Sequence, residues 1–518
     1  MKWEEIVAQK DARIAELEAL VKHYEEQFRL SQRRRFGASS EKTLINQMSY
    51  LFDEAEATAD AQADEPELEE IIYKRRKQKG KRDEDLSALP VEVVEHTLPE
   101  EKQICPECGE PLHTMGHDVR RELEIIPAQV KVVEHHQAVY SCRHCEKNSD
   151  HVPVTKALMP EPVIKGSIAS ASAVAHIMTQ KFVMYSPLYR QEQEWGRYGV
   201  PLSRQTMANW VIRCSDDWLA HIYEKLRLKL LQSELLHCDE TKLQVLKEPD
   251  RAAQTMSYMW LYRTSGDAVN PVILYEYQQT RAAIHPQTFL VGFKGYIHTD
   301  GYQAYHTLAD VIIVGCWSHM RRKFEDALKV MPVADRRGSI AAKGEAYCNR
   351  LFDFERKYEG LESEERHRKR LTESKPVAEE FFSWANTIAA LPKSKLGEAL
   401  TYAAGQREWL MNVYLDGRLE LSNNRGERSI KPFVMGRKNW LFCNKPSGAK
   451  ASAIVYSVIE TAKENNLKPF EYLKFLFEKL PNSTFSEIDS LLPWGDKIPE
   501  NCKMPNVIGV QPNGKKDA

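Results

Sequence analysis

Residues 234–246 read ELLHCDETKLQVL, and their alternation of apolar and polar side chains is that of a half-buried strand. Working outward, MSYMWLYR (256–263) and PVILYEY (271–277) carry the same signal, so three strands are expected in succession. A helix is predicted from Arg281 to Leu290 and a strand at GYIHTD (295–300). A short helix from Tyr302 to Leu308 and a strand at VIIVGCW (311–317) complete the run. Upstream, residues 166–230 turn helical, and SPLYRQEQEWGRYGVPLSRQTMANWVIRC reads as two helices joined by a turn at Gly199 and Val200.

Three strands, then helix, strand, helix, strand is the order of an RNase H-like core, a mixed sheet flanked by helices. In that topology Asp239, on the first strand, and Asp300, at the end of the fourth, are adjacent across the sheet. A single strand-end aspartate reads as a turn or cap residue. Two so placed suit the chemistry of phosphodiester cleavage, in which divalent ions about 4 Å apart are held by acidic ligands.

A third acid must then come from a helix packed on the sheet. LSNNRGERSIKPFVMGRKNWLF (421–442) offers Glu427, which shares a helical face with Asn423. Pro432 limits the first half to a short helix, because it biases Lys431 away from the helical region. Taken alone, Glu427 reads as a cap, since Asn424-x-x-Glu427 resembles a capping box. The two aspartates reverse that preference, with Glu420 as the next acid upstream. Arg428, Lys431, Arg437 and Lys438 interleave with Phe433, Trp440 and Phe442, a pattern suited to a phosphate backbone and unstacked bases if the rings are exposed. Arg321, Arg322 and Lys323 form a second basic group, readable as a phosphate grip or as a solvated helix face. The second helix of the upstream pair would present Arg204, Gln205 and Asn209 to a DNA groove if the pair is a helix-turn-helix, and is otherwise one pair of a bundle. His298 and His319 read as structural histidines near the acids.

The whole chain of 518 residues has a formal net charge of −2, so nucleic-acid binding rests on these local clusters. Its length implies several domains. No stretch is long and apolar enough to span a membrane, and the start MKWEEIVAQK lacks the apolar core of a signal peptide. Ten cysteines include two pairs, Cys105 with Cys108 and Cys142 with Cys145. Two such knuckles can supply four thiolates to one structural Zn2+, with the alternating VKVVEHHQAVYSC as a ribbon strand leading into the second. The other six read as packing residues in a reducing cytoplasm. Val7, Ile14, Leu17, Val21, Tyr24 and Phe28 follow a heptad-like spacing broken by Lys10, which predicts a short coiled coil able to pair protomers. An acidic run and the basic YKRRKQKGKR follow as a solvated linker.

In RRRFGASSEK, CPECG with CRHC, CDETK, HTDGYQAY, CWSHMRRKF, SNNRGERSIKPFVMGRKNWLF and YLKFLFEKLP, the chain resembles the IS66 family of bacterial insertion-sequence transposases. The resemblance spans nearly the whole length. It implies that Asp239, Asp300 and Glu427 form a DDE triad binding two Mg2+ or Mn2+ ions. It implies cleavage of element ends and transfer of the 3′-hydroxyl to target DNA, in the cytoplasm at the nucleoid. It also implies a helical insertion between the second and third acids, here largely solvated by composition. Gly426 stands before Glu427 where Ala is the commoner residue. The expected partners are terminal inverted repeats, target DNA and further copies of the chain, with room for element-encoded accessory proteins.

The expected architecture is multidomain α+β. A coiled coil with a basic segment (1–50), a charged linker (51–95), a zinc ribbon (96–155) and a helical, helix-turn-helix-like DNA-binding region (156–232) come first. The RNase H-like core follows in two parts (233–317 and 421–445) around the insertion (318–420), then a helical tail (446–518). Two rival readings are an RNase H-like nuclease without strand transfer and a catalytically silent DNA-binding regulator.

Overall fold

The structure is a computed structural model that describes residues 154–505 without a break, residues 128–143, and positions 10, 21, 92–94, 110, 111, 147 and 151. Two compact units divide the chain, Met1–Gly37 with His135–Met504, and Ala38–Glu134 with Pro505–Ala518. The elements below belong to the first.

The ribbon strand is shorter than VKVVEHHQAVYSC suggests. Only β1 (Val139–Ser141) pairs, antiparallel, and its partner is the downstream β2 (Val154–Lys156). Four helices follow, α1 (Ala171–Phe182), α2 (Leu188–Arg197), α3 (Arg204–Cys214) and α4 (Ala220–Leu231). Ser170 and Ser203 start α1 and α3 as N-caps, each hydroxyl accepting a backbone N–H three residues on.

The central sheet comprises β3 (Leu235–Gln244), β4 (Met256–Thr264), β5 (Ile273–Gln278), β6 (Gly295–His298) and β7 (Val311–Val314), in the order β5-β4-β3-β6-β7. The first three are antiparallel neighbours, whereas β6 and β7 run parallel to β3. The strands thus occur in the order expected, making a mixed sheet. The intervening helices are shorter than expected: α5 covers Ile284–Phe289, and the segment at 302–308 forms one 3-10 turn, Tyr305–Thr307.

The segment between the sheet's last strand and the 421–442 stretch is helical, with α6 (Trp317–Val330), α7 (Ile340–Lys357), α8 (Ser363–Lys369), α9 (Lys375–Ala385) and α10 (Lys395–Met411). It is not largely solvated. Trp317, Phe324, Leu351, Phe381 and Phe382 form a core of their own, with the Trp317 and Phe381 rings 5.6 Å apart. Even Arg370 is only 1% exposed and lies against Glu355 at 2.8 Å and 2.5 Å. The charged residues that suggest solvation occupy the outer faces of helices whose inner faces meet one another.

Three helices end the chain's core: α11 (Asn424–Trp440), α12 (Pro446–Glu464) and α13 (Pro469–Lys479). α12 is buried on nearly every side, and its Phe182 and Tyr275 neighbours link α1 and the sheet through Tyr456. Both sheet edges are covered. Thr461 and Ser457 hydroxyls accept the outward N–H groups of Ile273 and Tyr275 on β5, at 3.0 Å and 2.8 Å. Asn412, just past α10, donates to the Ile313 carbonyl of β7 at 2.8 Å.

Pro432 does not end its helix. α11 runs unbroken across it, because Ile430 and Phe433 are buried against the sheet. The Tyr275 hydroxyl donates to the Ser429 carbonyl, and the Tyr456 hydroxyl lies 3.4 Å from the Pro432 carbonyl. Tertiary donors thus act on carbonyls around the position where proline removes a helical N–H.

Candidate active site

The β3–β6 register places His237 opposite His298. Asp239 and Asp300 each lie two residues further along, Asp239 still within β3 and paired with Leu261 of β4, Asp300 just past the end of β6. Beneath them the two imidazoles stack, with centroids 4.4 Å apart and planes 10° from parallel, both fully buried. Burial pushes the His237 imidazole down to about 3 and that of His298 well below its ordinary range, so both are neutral at pH 7.

Glu427 reaches this place through Asn423. That buried amide donates to the Cys238 carbonyl at 2.7 Å, and its oxygen meets His237 Nδ1 at 2.9 Å. Its backbone N–H points to Cys316 Sγ at 3.1 Å, and its carbonyl accepts the Glu427 N–H at 3.1 Å. The first turn of α11 is therefore pinned to β3 at the residue before Asp239. Capping is not the role of the Glu427 side chain. Asn423, not Asn424, is the N-cap residue and makes no side-chain cap bond. The Glu427 carboxylate instead faces α6, with Arg322 Nη2 3.3 Å from Oε2 and His319 Nδ1 3.5 Å from Oε1.

The charges of neighbouring acids act on Asp239, although Asp239, Asp300 and Glu427 do not close to metal-ligand distance of one another among the described residues. The Asp239 carboxyl is raised well above the usual carboxylate range, by burial first and then by the charges of Glu240, Asp300 and Glu427. The Glu240 N–H, 2.8 Å from Asp239 Oδ1, opposes that shift. Glu240 itself is committed elsewhere, paired with Arg281 and accepting the Tyr305 hydroxyl at 2.8 Å. Crowded carboxylates with one raised acid fit a cation site.

Orphaned atoms support the same fit. Glu427 Oε1 and His319 Nδ1 are buried without a hydrogen-bond partner. Among the described residues, the ligand-type atoms of Cys316, His319 and Glu427 close to within 4.8 Å of one another. Cys316 is a poor member of that set, because burial holds its thiol up at about 11 and its sulfur already receives the Asn423 N–H. Asp239, Asp300 and Glu427 offer the hard oxygen donors that Mg2+ and Mn2+ prefer.

Of the basic residues named from the sequence, several are engaged within the chain. Arg204, Gln205 and Asn209 are exposed on α3, with Gln205 bonded to Asn209 at 3.1 Å and the Arg204 backbone N–H bonded to Glu192 at 2.9 Å. Arg321 pairs with Glu325 at 2.8 Å, and Lys323 Nζ sits 5.7 Å from the Tyr402 ring. On α11, Arg428 and Lys438 are exposed, Lys431 is half-buried, and Arg437 lies 3.4 Å from the Thr241 hydroxyl.

The aromatic expectation is corrected: Phe433 is buried and Trp440 packs on Phe182, leaving Phe442 as the exposed ring of the three. Missed in the sequence were His237 and the anchoring role of Asn423. The signal for the histidines was present, since His237-x-Asp239 and His298-x-Asp300 share one spacing.

Of the paired cysteines, Cys142 is described, exposed just after β1. Cys105, Cys108 and Cys145 lie outside the described residues, and the zinc site with them. The coiled-coil expectation also falls there, apart from Lys10 and Val21, both helical and exposed.

A family model for the IS66 transposase family matches residues 166–451, which is more than half of the 518. Models for the zinc-finger binding domain of transposase IS66 and the IS66 C-terminal element match residues 102–146 and 457–494. A fourth, described as transposase C of IS166 homeodomain, matches residues 23–94. The zinc-finger match includes all four paired cysteines and supports zinc binding. Uncharacterized protein y4qI of Sinorhizobium fredii is 28% identical over 508 residues, covering 94% of this chain and 89% of that one. Uncharacterized protein y4jD of the same organism is 29% identical over 418 residues, 77% of this chain and 79% of its own length. With the family match running from the helices before the sheet through the three acids to α12, the chain belongs to the IS66 family of transposases.

Proposed function

We propose that the chain cuts the ends of an insertion sequence and joins their 3′-hydroxyls to target DNA at a DDE site of Asp239, Asp300 and Glu427. The observation that carries this reading is geometric: the β3–β6 register sets Asp239 and Asp300 at matching positions, and Asn423 ties the first turn of α11, which bears Glu427, to the Cys238 carbonyl. The strand order β5-β4-β3-β6-β7, with the last two parallel to β3, supports an RNase H-like core. Two Mg2+ or Mn2+ ions held by the three carboxylates would activate the attacking oxygen and neutralise the leaving one.

The chain's own residues do the positioning. Asn423 fixes Glu427 to the strand that carries Asp239, and the neutral His237–His298 stack gives the aspartates an uncharged floor. Arg322, beside Glu427, and Arg428 and Lys431 on the same helix can hold phosphates of the bound strand. The four cysteines Cys105, Cys108, Cys142 and Cys145 would close a structural zinc site, and α2 with α3 would contact the terminal repeats through Arg204, Gln205 and Asn209.

Glu427→Gln tests the site. It keeps size but removes the charge, so cleavage and strand transfer on terminal-repeat DNA should fall by roughly three orders of magnitude or more. Stability should change by about 1 kcal/mol or less, since the ion pair with Arg322 is partly exposed. End binding should persist. Near-normal turnover by the variant would remove Glu427 from the triad. Pre-cut ends that are bound but not joined by the unaltered chain would instead favour a nuclease.

A further inference from the structure

Leu441, directly after α11, has φ +65° and ψ −47°. The Phe442 N–H donates back to the Trp440 carbonyl at 2.8 Å, closing a three-residue loop of the rare classic γ-turn type. A bulky residue at positive φ persists only where its surroundings over-determine it. They do so here. The Leu441 N–H is held by the Arg437 carbonyl at 2.6 Å. On the other side, Cys443 donates to Gln244 at 2.9 Å and accepts from Leu246 at 3.0 Å, while Lys247 donates to Asn444 at 3.0 Å.

This clamped turn presents two apolar side chains to solvent, Leu441 at 65% and Phe442 at 43% exposure. From Arg437 to Lys450 the chain contains cations and no acid, and Lys242 and Lys247 on the adjoining strand segment are exposed. Like charge disfavours a second copy of the same face and suits a polyanion. Two rulers place the turn relative to the acids. Leu441 is 14 residues along α11 from Glu427, about 21 Å at helical rise. Val245, bridged to Cys443, is six residues along from Asp239, about 20 Å at strand rise. At about 3.4 Å per nucleotide, that is roughly six nucleotides from the reacting phosphate.

The geometry points to Leu441 and Phe442 as a rigid wedge that unstacks a base of the element-end DNA about six nucleotides from the cleaved phosphodiester. This rests on the DDE reading above, which brings that DNA to the site. Flanking cations hold the backbone while the two side chains replace the stacking partner of the displaced base.

The test uses the full chain and terminal-repeat duplexes carrying 2-aminopurine at single positions three to nine nucleotides from the cleavage point. The unaltered protein should raise fluorescence at one or two adjacent positions. Leu441→Gly combined with Phe442→Ala should abolish that rise and slow cleavage of fully paired DNA about tenfold or more, with affinity reduced less than tenfold. A mismatch at the responsive position should restore the variant's cleavage. Glycine accepts the positive φ and both residues are exposed, so an unchanged melting temperature checks the fold. An unaltered protein that cleaves without any fluorescence rise, or a variant matching it throughout, overturns the wedge and leaves the DDE reading standing. A variant that loses self-association instead of the DNA response assigns the turn to a second copy and overturns it as well. Failure of the unaltered protein to cleave terminal DNA at all removes both.

Discussion

Glu276 lies on the edge strand β5, and burial pushes its carboxyl up to about 7, against hydrogen bonds from Gln278 and Tyr262 that favour the charged form. Its folded state therefore binds a proton more tightly than the unfolded chain, whose carboxyl titrates near 4.5. The linkage sign follows: stability falls as pH rises from about 4.5 to about 7 and is level above. Glu276→Gln should raise stability by roughly 1–3 kcal/mol at pH 8 and have little effect near pH 4.5. Thermal unfolding of both proteins at the two pH values checks this. Asp239, Glu240 and Glu460, raised in the same direction, keep their slope in the variant, so the difference between the two proteins isolates Glu276.

Among elements, α12 and β5 depend on each other through side chain to backbone contacts. Thr461 Oγ1 accepts the Ile273 N–H and donates to the same residue's carbonyl at 2.9 Å, so one hydroxyl satisfies both outward groups. Ser457 does the same work for the Tyr275 N–H. Thr461→Val with Ser457→Ala keeps the helix and most of its packing but leaves two buried N–H groups and one carbonyl unpaired. Each orphan costs about 1–3 kcal/mol, so the double variant should lose roughly 3–9 kcal/mol in urea unfolding, with Thr461→Val, which leaves two of the three orphans, losing about two thirds of it. An uncovered strand edge also templates pairing between chains, so light scattering on refolding should rise. A double variant of unaltered stability would mean that water serves these groups as well.

For the whole molecule, the proposed joining of two element ends would bring two protomers together, and the heptad-like residues 7–28 are the expected contact. Val21 lies in a helix and is 57% exposed in the single chain, whereas a coiled coil would bury it. Deleting residues 7–28 should lower self-association in sedimentation and reduce concerted processing of paired ends. Single-end cleavage should be affected far less, because the acids and their supports lie between Leu235 and Trp440. Equal self-association by the truncated chain would remove the N-terminal segment from the assembly.

Alternation in β3 and short apolar runs such as VIIV in β7 were enough to locate the five strands of the central sheet, because each faces a core on at least one side. The adjacency of Asp239 and Asp300 follows from strand order, because β6 pairs in parallel with β3 and brings the residues two beyond His237 and His298 side by side. For Glu427 the sequence left a cap and a site acid open. Its spacing from Asn424 resembles a cap, and what decides against one is Asn423, whose side chain is spent on Cys238 and His237, residues about 185 positions away. The same limit explains the other misreadings. Pro432 should have ended α11 on local grounds, and buried side chains with tyrosine hydroxyls from elsewhere hold it helical. Phe433 looks like a base-stacking ring until Tyr275 and Tyr456 close over it. The charged helices of 318–420 hide a core because their apolar stripes meet only after the chain has doubled back. Local pattern records which face a residue turns inward; which partner waits there is set by contacts between segments far apart in sequence, and those existed only once the chain had folded.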